Sequence, residues 1–286
     1  VRDYLELSKP RVVGMSGFAT LVGFYVAHSG PIQTTSLVLA LATAVGTILV
    51  GAGACALNQV MERDHDARMN RTANRPIPAG RVSVRDGTLF GIITSIAGLG
   101  LLAGCVNSVC ALVALVTLVT YLAVYTPLKR VTSLAVVVGA FPGALPPVIG
   151  WTAATGSLDA MAALPFAILF VWQLPHFMSI AWMYREDFAR AGYPVLPVVD
   201  PSGRRTIRHT IVYSLALIPV SLLPTPMGLT GNLYYFGTFV CGFAFLAVAC
   251  EVARLKTRAA ARQHVLASLV YLSVVFALLT IDKVAS

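Results

Sequence analysis

Stretches of about 20 residues without one Asp, Glu, Lys or Arg recur along this chain, and they restrict its fold more than any motif does. A hydrocarbon core ~30 Å thick is crossed by about 20 apolar residues in helical conformation. Soluble cores use shorter, interrupted apolar segments. Composition agrees with a membrane fold: 12% of the 286 residues are charged and 57% are apolar, against about 25% charged in a soluble domain. The chain reads as an all-α, polytopic membrane protein, with residues 1–286 forming a single domain.

Hydropathy and helix breakers together predict nine transmembrane helices, at 12–29, 37–61, 87–106, 108–125, 133–152, 160–182, 207–227, 232–253 and 264–281. Basic residues fall at 2–11, 63–85, 129–130, 185–208 and 254–262, with Lys283 alone outside these groups. Nine spans put all five groups on one side, which then carries 20 of the 21 Lys and Arg residues. By the positive-inside rule that side is cytoplasmic, with the N-terminus inside and the C-terminus outside. Topology thus accounts for the formal charge of +9 without a nucleic-acid partner. The opening VRDYLELSKPRV reads as a short cytoplasmic lead-in with no transit or signal segment, which favours a bacterial inner membrane. Cys55, Cys105, Cys110, Cys241 and Cys250 lie inside apolar runs without a CxxC pair, and read as small buried hydrophobes.

Polar chemistry concentrates where the second apolar run ends, in NQVMERDHDARMNRTANRP, Asn58 to Pro76. Asn58, Glu62 and Asp66 recur every four residues, so on a helix they share one face, about 6 Å apart along the axis. Asp64 faces away, as a solvated partner of Arg68. A helix end with ordinary salt bridges could carry the same acids. Asn58 tips the reading toward a site, because an amide within a span is costly to bury and marks function there. Two carboxylates and an amide supply hard oxygen ligands, and Mg²⁺ is commonly held by one or two carboxylates together with substrate phosphates. Arg71, Arg75 and Arg81 follow at once, and guanidinium groups bind phosphate oxygens bidentately. Metal and diphosphate together would use both charge types in one site.

Two further constellations sit at inner helix ends. YTPLKR, Tyr125 to Arg130, carries Lys129 and Arg130, which read either as topology anchors or as phosphate ligands. WQLPHFMSIAWMYREDFARAGYPVLPVVD, Trp172 to Asp200, places Trp172, Gln173 and His176 around Pro175 in the sixth span, a plausible pocket wall. Packing and ligand binding are both open for His176.

These motifs resemble the UbiA superfamily of intramembrane prenyltransferases: a helix-borne NxxxDxxxD pattern, a second acidic motif after helix 6, and a nine-helix bundle. NQVMERDHDARMNRTANRPIPAGR, YTPLKR, GAFPGALPPVIGW and WQLPHF…YREDFARAGYPVLPVV are similar to its heme-farnesylating branch, over roughly the first 200 residues. The resemblance implies transfer of a farnesyl group from farnesyl diphosphate to a vinyl group of heme b, with Mg²⁺ as cofactor. It implies that Asn58, Glu62 and Asp66, with Asp187, hold the metal. Arg71, Arg75, Lys129, Arg130 and Arg185 would bind the diphosphate, with Tyr125 near the allylic cation. Trp172, Gln173 and His176 would face the heme, and a heme A synthase is a candidate partner. Glu62 replaces the superfamily Asp, and Ala191 stands where the second motif would have its second acid. Two rivals remain at this point: prenyl transfer to an aromatic quinone precursor, against which WQLPHF argues, and a transporter gating an anion, which would need neither the acidic face nor the basic clusters around it.

Overall fold

The computed structural model describes residues 1–284, and among them the only regular structure besides helix is an isolated bridge between Thr230 and Lys283. A short N-terminal helix, α1 (Arg2–Ser8), is followed by α2 (Pro10–Ala27), α3 (Thr34–Asp66), α4 (Val84–Cys105) and α5 (Ser108–Val119). α5 continues through a π-helical turn, Thr120–Tyr125, into α6 (Thr126–Leu128). Then come α7 (Ala135–Ala144), α8 (Pro146–Thr155), α9 (Ala163–Met183), α10 (Arg185–Arg190) and α11 (Leu196–Val199). The last three are α12 (Arg204–Leu222), α13 (Asn232–Leu255) and α14 (Arg258–Ile281). Every backbone polar group in a bilayer needs an internal partner, which a helix supplies within its own segment.

Eight of these segments are long and apolar enough to cross a membrane. The seventh predicted span corresponds to α12, which begins and ends earlier than 207–227, at Arg204 and Leu222. Arg204, Arg205 and Arg208 occupy its first turns, which lowers its apolar character, and the chain turns before Pro224. The fifth predicted span is two helices, α7 and α8, joined at Leu145, where Pro146 and Pro147 lack the N–H that would carry one helix through. The inner loop after the sixth span is partly helical, folded as α10 and α11.

The core runs through α2, α8, α9 and α14, with Trp151, Ile168, Trp172, Tyr271 and Phe276 among its buried members. Exposed apolar side chains such as Ile93, Ile96, Val240 and Val270 line the outside, as a surface solvated by lipid requires. The basic groups gather at one end of the bundle. Arg81 pairs with Asp3 and Glu6, Lys129 with Glu62, and the guanidiniums of Arg71 and Arg258 both lie over the Tyr184 ring. At the opposite end Lys283 donates to the carbonyls of Tyr25 and His28, and Asn107 to that of Thr152.

Candidate active site

α3 carries the acidic face. At 33 residues it is about 50 Å long, so its last turns stand clear of a ~30 Å hydrocarbon core. Glu62 and Asp66 ride on those turns, beyond the predicted end at 61. Both are 1% exposed and Asn58 is 3% exposed, whereas Met61 is 40% exposed and the Asp64 side chain 69%. The four-residue spacing thus holds in three dimensions. Asp64 does face solvent, but it neighbours Arg63 at 3.5 Å rather than Arg68. Asp64→Asn is therefore expected to change turnover by no more than about twofold, since an exposed pair of this kind contributes little. A loss as deep as that of Asp66→Asn in the same assay would break the one-face reading.

Each buried acid meets one cation from another segment. Lys129 Nζ lies 3.0 Å from both Glu62 oxygens, and Arg75 donates to Asp66 Oδ2 at 2.6 Å. Arg75 is brought back by the turn after α3, where Thr72 Oγ1 donates to the Asp66 carbonyl at 2.8 Å. Lys129 is delivered by the π-helical turn. Its extra residue per turn re-aims the end of the fifth helical segment, a feature that recurs at functional sites. Thr126 anchors that turn, donating to the Tyr121 carbonyl at 2.9 Å and accepting from Asn58 Nδ2 at 3.1 Å. Arg130 reaches the Met61 carbonyl, outside the acidic face.

Whether a divalent cation fits can be judged from the oxygens. Asp66 Oδ1 is buried without a hydrogen-bond partner, a costly state that a bound cation would relieve. Asn58 spends its Nδ2 on Thr126, which leaves its carbonyl oxygen as the acceptor. This donor set suits a hard cation. Asp187 stands apart: it accepts from Arg190 and from the Asn70 backbone N–H at 3.2 Å. Among the described residues no three His, Cys, Asp or Glu groups gather at metal-ligand spacing. Asp187 clamps the loop after α3 onto α10 and is buried.

The remaining cations divide. Arg71 lies over the rings of Tyr184 and Phe188, at 4.8 and 5.7 Å, and burial, then Arg75, lower its pKa. Arg185 lies over Trp182 at 4.6 Å. Arg81 turns away to Asp3, Glu6 and the Asn74 carbonyl, pinning α1 to the loop.

Tyr125 and Gln173 meet the same helix. A Cβ at Gly139 would fall 2.5 Å from Tyr125 Cε2, and one at Gly143 would overlap the Gln173 amide. These glycines are one turn apart on α7, so Tyr125 and Gln173 sit side by side there. Gln173 donates to the Ala140 and Leu169 carbonyls, at 3.3 and 3.1 Å. Trp172 donates to the Ser268 carbonyl at 2.7 Å, and His176 Nδ1 lies 2.6 Å from Ser268 Oγ, with the two rings stacked at 4.8 Å. Trp172 and His176 thus form a polar seam between α9 and α14.

Three neighbours of the acids escaped the sequence reading. Lys9 caps α1 in the left-handed conformation (φ 49°), and its ammonium senses Arg75, Lys129 and Glu62. Burial pushes its pKa below the ordinary lysine range. Thr126 and Tyr193 are the others. LSKPRV and AGYPV held two of these letters, but no periodicity linked either to Glu62.

A sequence profile of the UbiA prenyltransferase family matches residues 16–275. A protein from Solibacter usitatus (strain Ellin6076) named protoheme IX farnesyltransferase is 44% identical over 289 residues, covering 99% of each chain. One of the same name from Koribacter versatilis (strain Ellin345) is 41% identical, over 99% of this chain and 94% of the other. Among solved structures, a UbiA homolog from Archaeoglobus fulgidus bound to GPP and Mg²⁺ superposes with a TM-score of 0.69 at 16% identity, covering 97% of this chain and 99% of the other. A chain described under the biosynthesis of digeranylgeranylglyceryl phosphate synthase in membranes reaches a TM-score of 0.79 at 14% identity, over 98% and 97%. The helix order, the acid-bearing end of α3 and these matches together establish that the chain belongs to the UbiA prenyltransferase family.

Proposed function

We propose that this protein transfers the farnesyl group of farnesyl diphosphate to a vinyl group of heme b, with addition of water, giving heme O and diphosphate. The observation that carries this reading is the buried acid–cation arrangement of Glu62–Lys129 and Asp66–Arg75, in a chain matching protoheme IX farnesyltransferases from end to end. Asn58, Glu62 and Asp66 would hold Mg²⁺, with Asp187 proposed to join them from α10. The bound ion supplies positive charge for the leaving diphosphate. Arg71, Arg75, Lys129, Arg130 and Arg185 are proposed to take the phosphate oxygens, so that charge developing on the leaving group is met as it forms. The farnesyl C1–O bond breaks, and the vinyl carbon forms a C–C bond to C1. Water adds to the resulting cation on the heme side chain and releases its proton. Tyr125 lines the wall beside this step, and the dry bundle keeps water from the farnesyl cation until the C–C bond is made.

Trp172, Gln173 and His176 are proposed to lie against the heme from α9. α12 is proposed as the ninth crossing of a single domain, which puts the basic end of the bundle, and the active site, on the cytoplasmic face of the inner membrane. A heme A synthase downstream is a proposed partner for the product.

Purified protein in lipid nanodiscs, given farnesyl diphosphate, Mg²⁺ and heme b, is expected to yield hydroxyethylfarnesyl heme and one pyrophosphate per turnover, read by mass spectrometry. Pyrophosphate release without a farnesylated heme, or prenylation of 4-hydroxybenzoate in its place, would overturn the heme assignment.

A further inference from the structure

At the basic end of the bundle, an open cleft of about 420 Å³ lies between α12 and α13. Arg204, Ile207, Arg208, Ile211 and Val212 form its α12 wall, on the face opposite the buried Thr206, Thr210 and Ser214. α13 contributes Lys256 and, one turn deeper, Ala253. Charge is confined to the mouth. Ile211 and Val212 carry the α12 wall on to about 12 Å from Arg204 along the helix axis, with apolar side chains only. Ala253 is the smallest side chain of the wall, and its size keeps the deeper part open.

The three cations at the mouth are unpaired. Other basic side chains at this end have acids of their own: Lys129 has Glu62, Arg190 has Asp187 and Arg254 has Glu251. Among the described residues, the side chains of Arg204, Arg208 and Lys256 make no ion pair, and no carboxylate lines the cleft. Arg204 and Arg208, four residues apart on one helix, repel each other. Lys256 caps α13 in the left-handed conformation (φ 52°), a position that glycine usually takes. α12, at 19 residues, is also absent from the eight segments apolar enough to cross a membrane. Unpaired charge on its first turns therefore weighs on a helix with little hydropathy to spare.

A ligand complementary to this cleft carries an anion at one end and hydrocarbon at the other. A free anion would leave Ile211, Val212 and Ala253 uncovered, and a neutral lipid would leave the cations without net countercharge. Basic pockets between membrane helices at the headgroup level recognise anionic lipids. We propose that the cleft between α12 and α13 binds an anionic phospholipid. Its phosphodiester sits among Arg204, Arg208 and Lys256, where guanidinium groups bind phosphate oxygens in pairs. The first carbons of one acyl chain lie along Ile207, Ile211 and Val212, over Ala253. The lipid neutralises the charged turns of α12 and so steadies that helix beside α13. The inference rests on α12 and α13 lying in the bilayer, and it needs neither the prenyl diphosphate nor the acceptor.

Native mass spectrometry of the purified full chain, titrated with palmitoyl-oleoyl phosphatidylglycerol or the matching phosphatidylcholine, tests it. The wild-type protein is expected to retain one phosphatidylglycerol in preference to phosphatidylcholine. Arg204→Gln combined with Arg208→Gln should weaken that binding about 25-fold, roughly fivefold for each cation removed at a lipid surface. Arg205→Gln combined with Arg262→Gln removes the same charge from exposed positions outside the cleft and should cost no more than about twofold. Ala253→Phe fills the deeper part and leaves every cation in place, and it should also abolish the preference. All of these positions but Ala253 are exposed, so the arginine variants fold even where Ala253→Phe does not. Equal binding of the two lipids, or equal losses in the two double variants, would overturn the site. So would a folded Ala253→Phe that binds as the wild type does, since attraction would then be diffuse. Displacement of the lipid by excess inorganic phosphate would reduce the ligand to a free anion and overturn the lipid assignment. A dimer lost in Ala253→Phe would overturn it too, because a second copy would then fill the cleft.

Discussion

Asp66→Asn is expected to cut turnover by about 10³-fold or more while the protein still inserts and folds. Asn keeps the shape of the side chain and removes the charge. The folded state loses little, because Arg75 is 22% exposed and can hydrate when its partner is neutral, whereas Asp66 is 1% exposed. A structural cost below about 2 kcal/mol follows, the scale of one hydrogen bond to a charged group. The catalytic cost is larger because Asp66 Oδ1, buried without a hydrogen-bond partner, is the oxygen left to meet the proposed cation. A neutral amide there cannot offset a divalent cation. Glu62→Gln is expected to match it, since Lys129 is then left without its carboxylate and the acidic face is halved. Turnover in nanodiscs, normalised to the folded fraction from size-exclusion chromatography, measures both. Retention of more than a tenth of wild-type turnover by either variant would remove that acid from the chemistry.

Gly150→Ala is the second large effect, on stability rather than turnover. A Cβ at Gly150 would strike the backbone of α2, 2.6 Å from Phe24 N and 2.8 Å from the Thr20 carbonyl carbon. Gly23 answers it from the other helix, where a Cβ would lie 2.7 Å from Pro147 Cα. Backbone meets backbone here, so no side chain can rotate aside. Small residues at such crossings let membrane helices approach closely. One methyl forces α2 from α8 and opens contacts of Val22, Phe24, Val148 and Trp151, all buried. Overpacking of this kind costs about 3 kcal/mol, the upper part of its usual range. A drop in melting temperature with loss of monodisperse protein is the expected result. Gly100→Ala, on the open side of α4 with nothing within 4 Å of its Cβ, should be neutral. Similar melting temperatures for the two variants would mean that α2 and α8 are not in backbone contact.

Some of this was present in the letters. Charge-free stretches dictate spans because a backbone in lipid has to satisfy itself, and eight such helices are present among the described residues. Asn58, Glu62 and Asp66 share a face because helical periodicity is local, needing no knowledge of the neighbours. That same rule put Asp64 in solvent. It could not decide where α3 would end or that Pro146 and Pro147 would split the fifth span, since both depend on how one segment is propped by others.

The sequence by itself determined which residues are available and which of them share a helical face. Only the tertiary structure decided their partners. Lys129 rather than Arg130 took Glu62, Arg75 rather than Arg71 took Asp66, and Arg81 left for Asp3 and Glu6. Lys9 and Tyr193 joined the acids from segments 53 and 131 residues away from Glu62 (62 − 9 and 193 − 62). The reason is range: periodicity propagates along one helix through hydrogen bonds four residues apart. Pairing across helices depends on crossing points set by contacts such as Gly23 and Gly150, which look in the sequence like any other glycines.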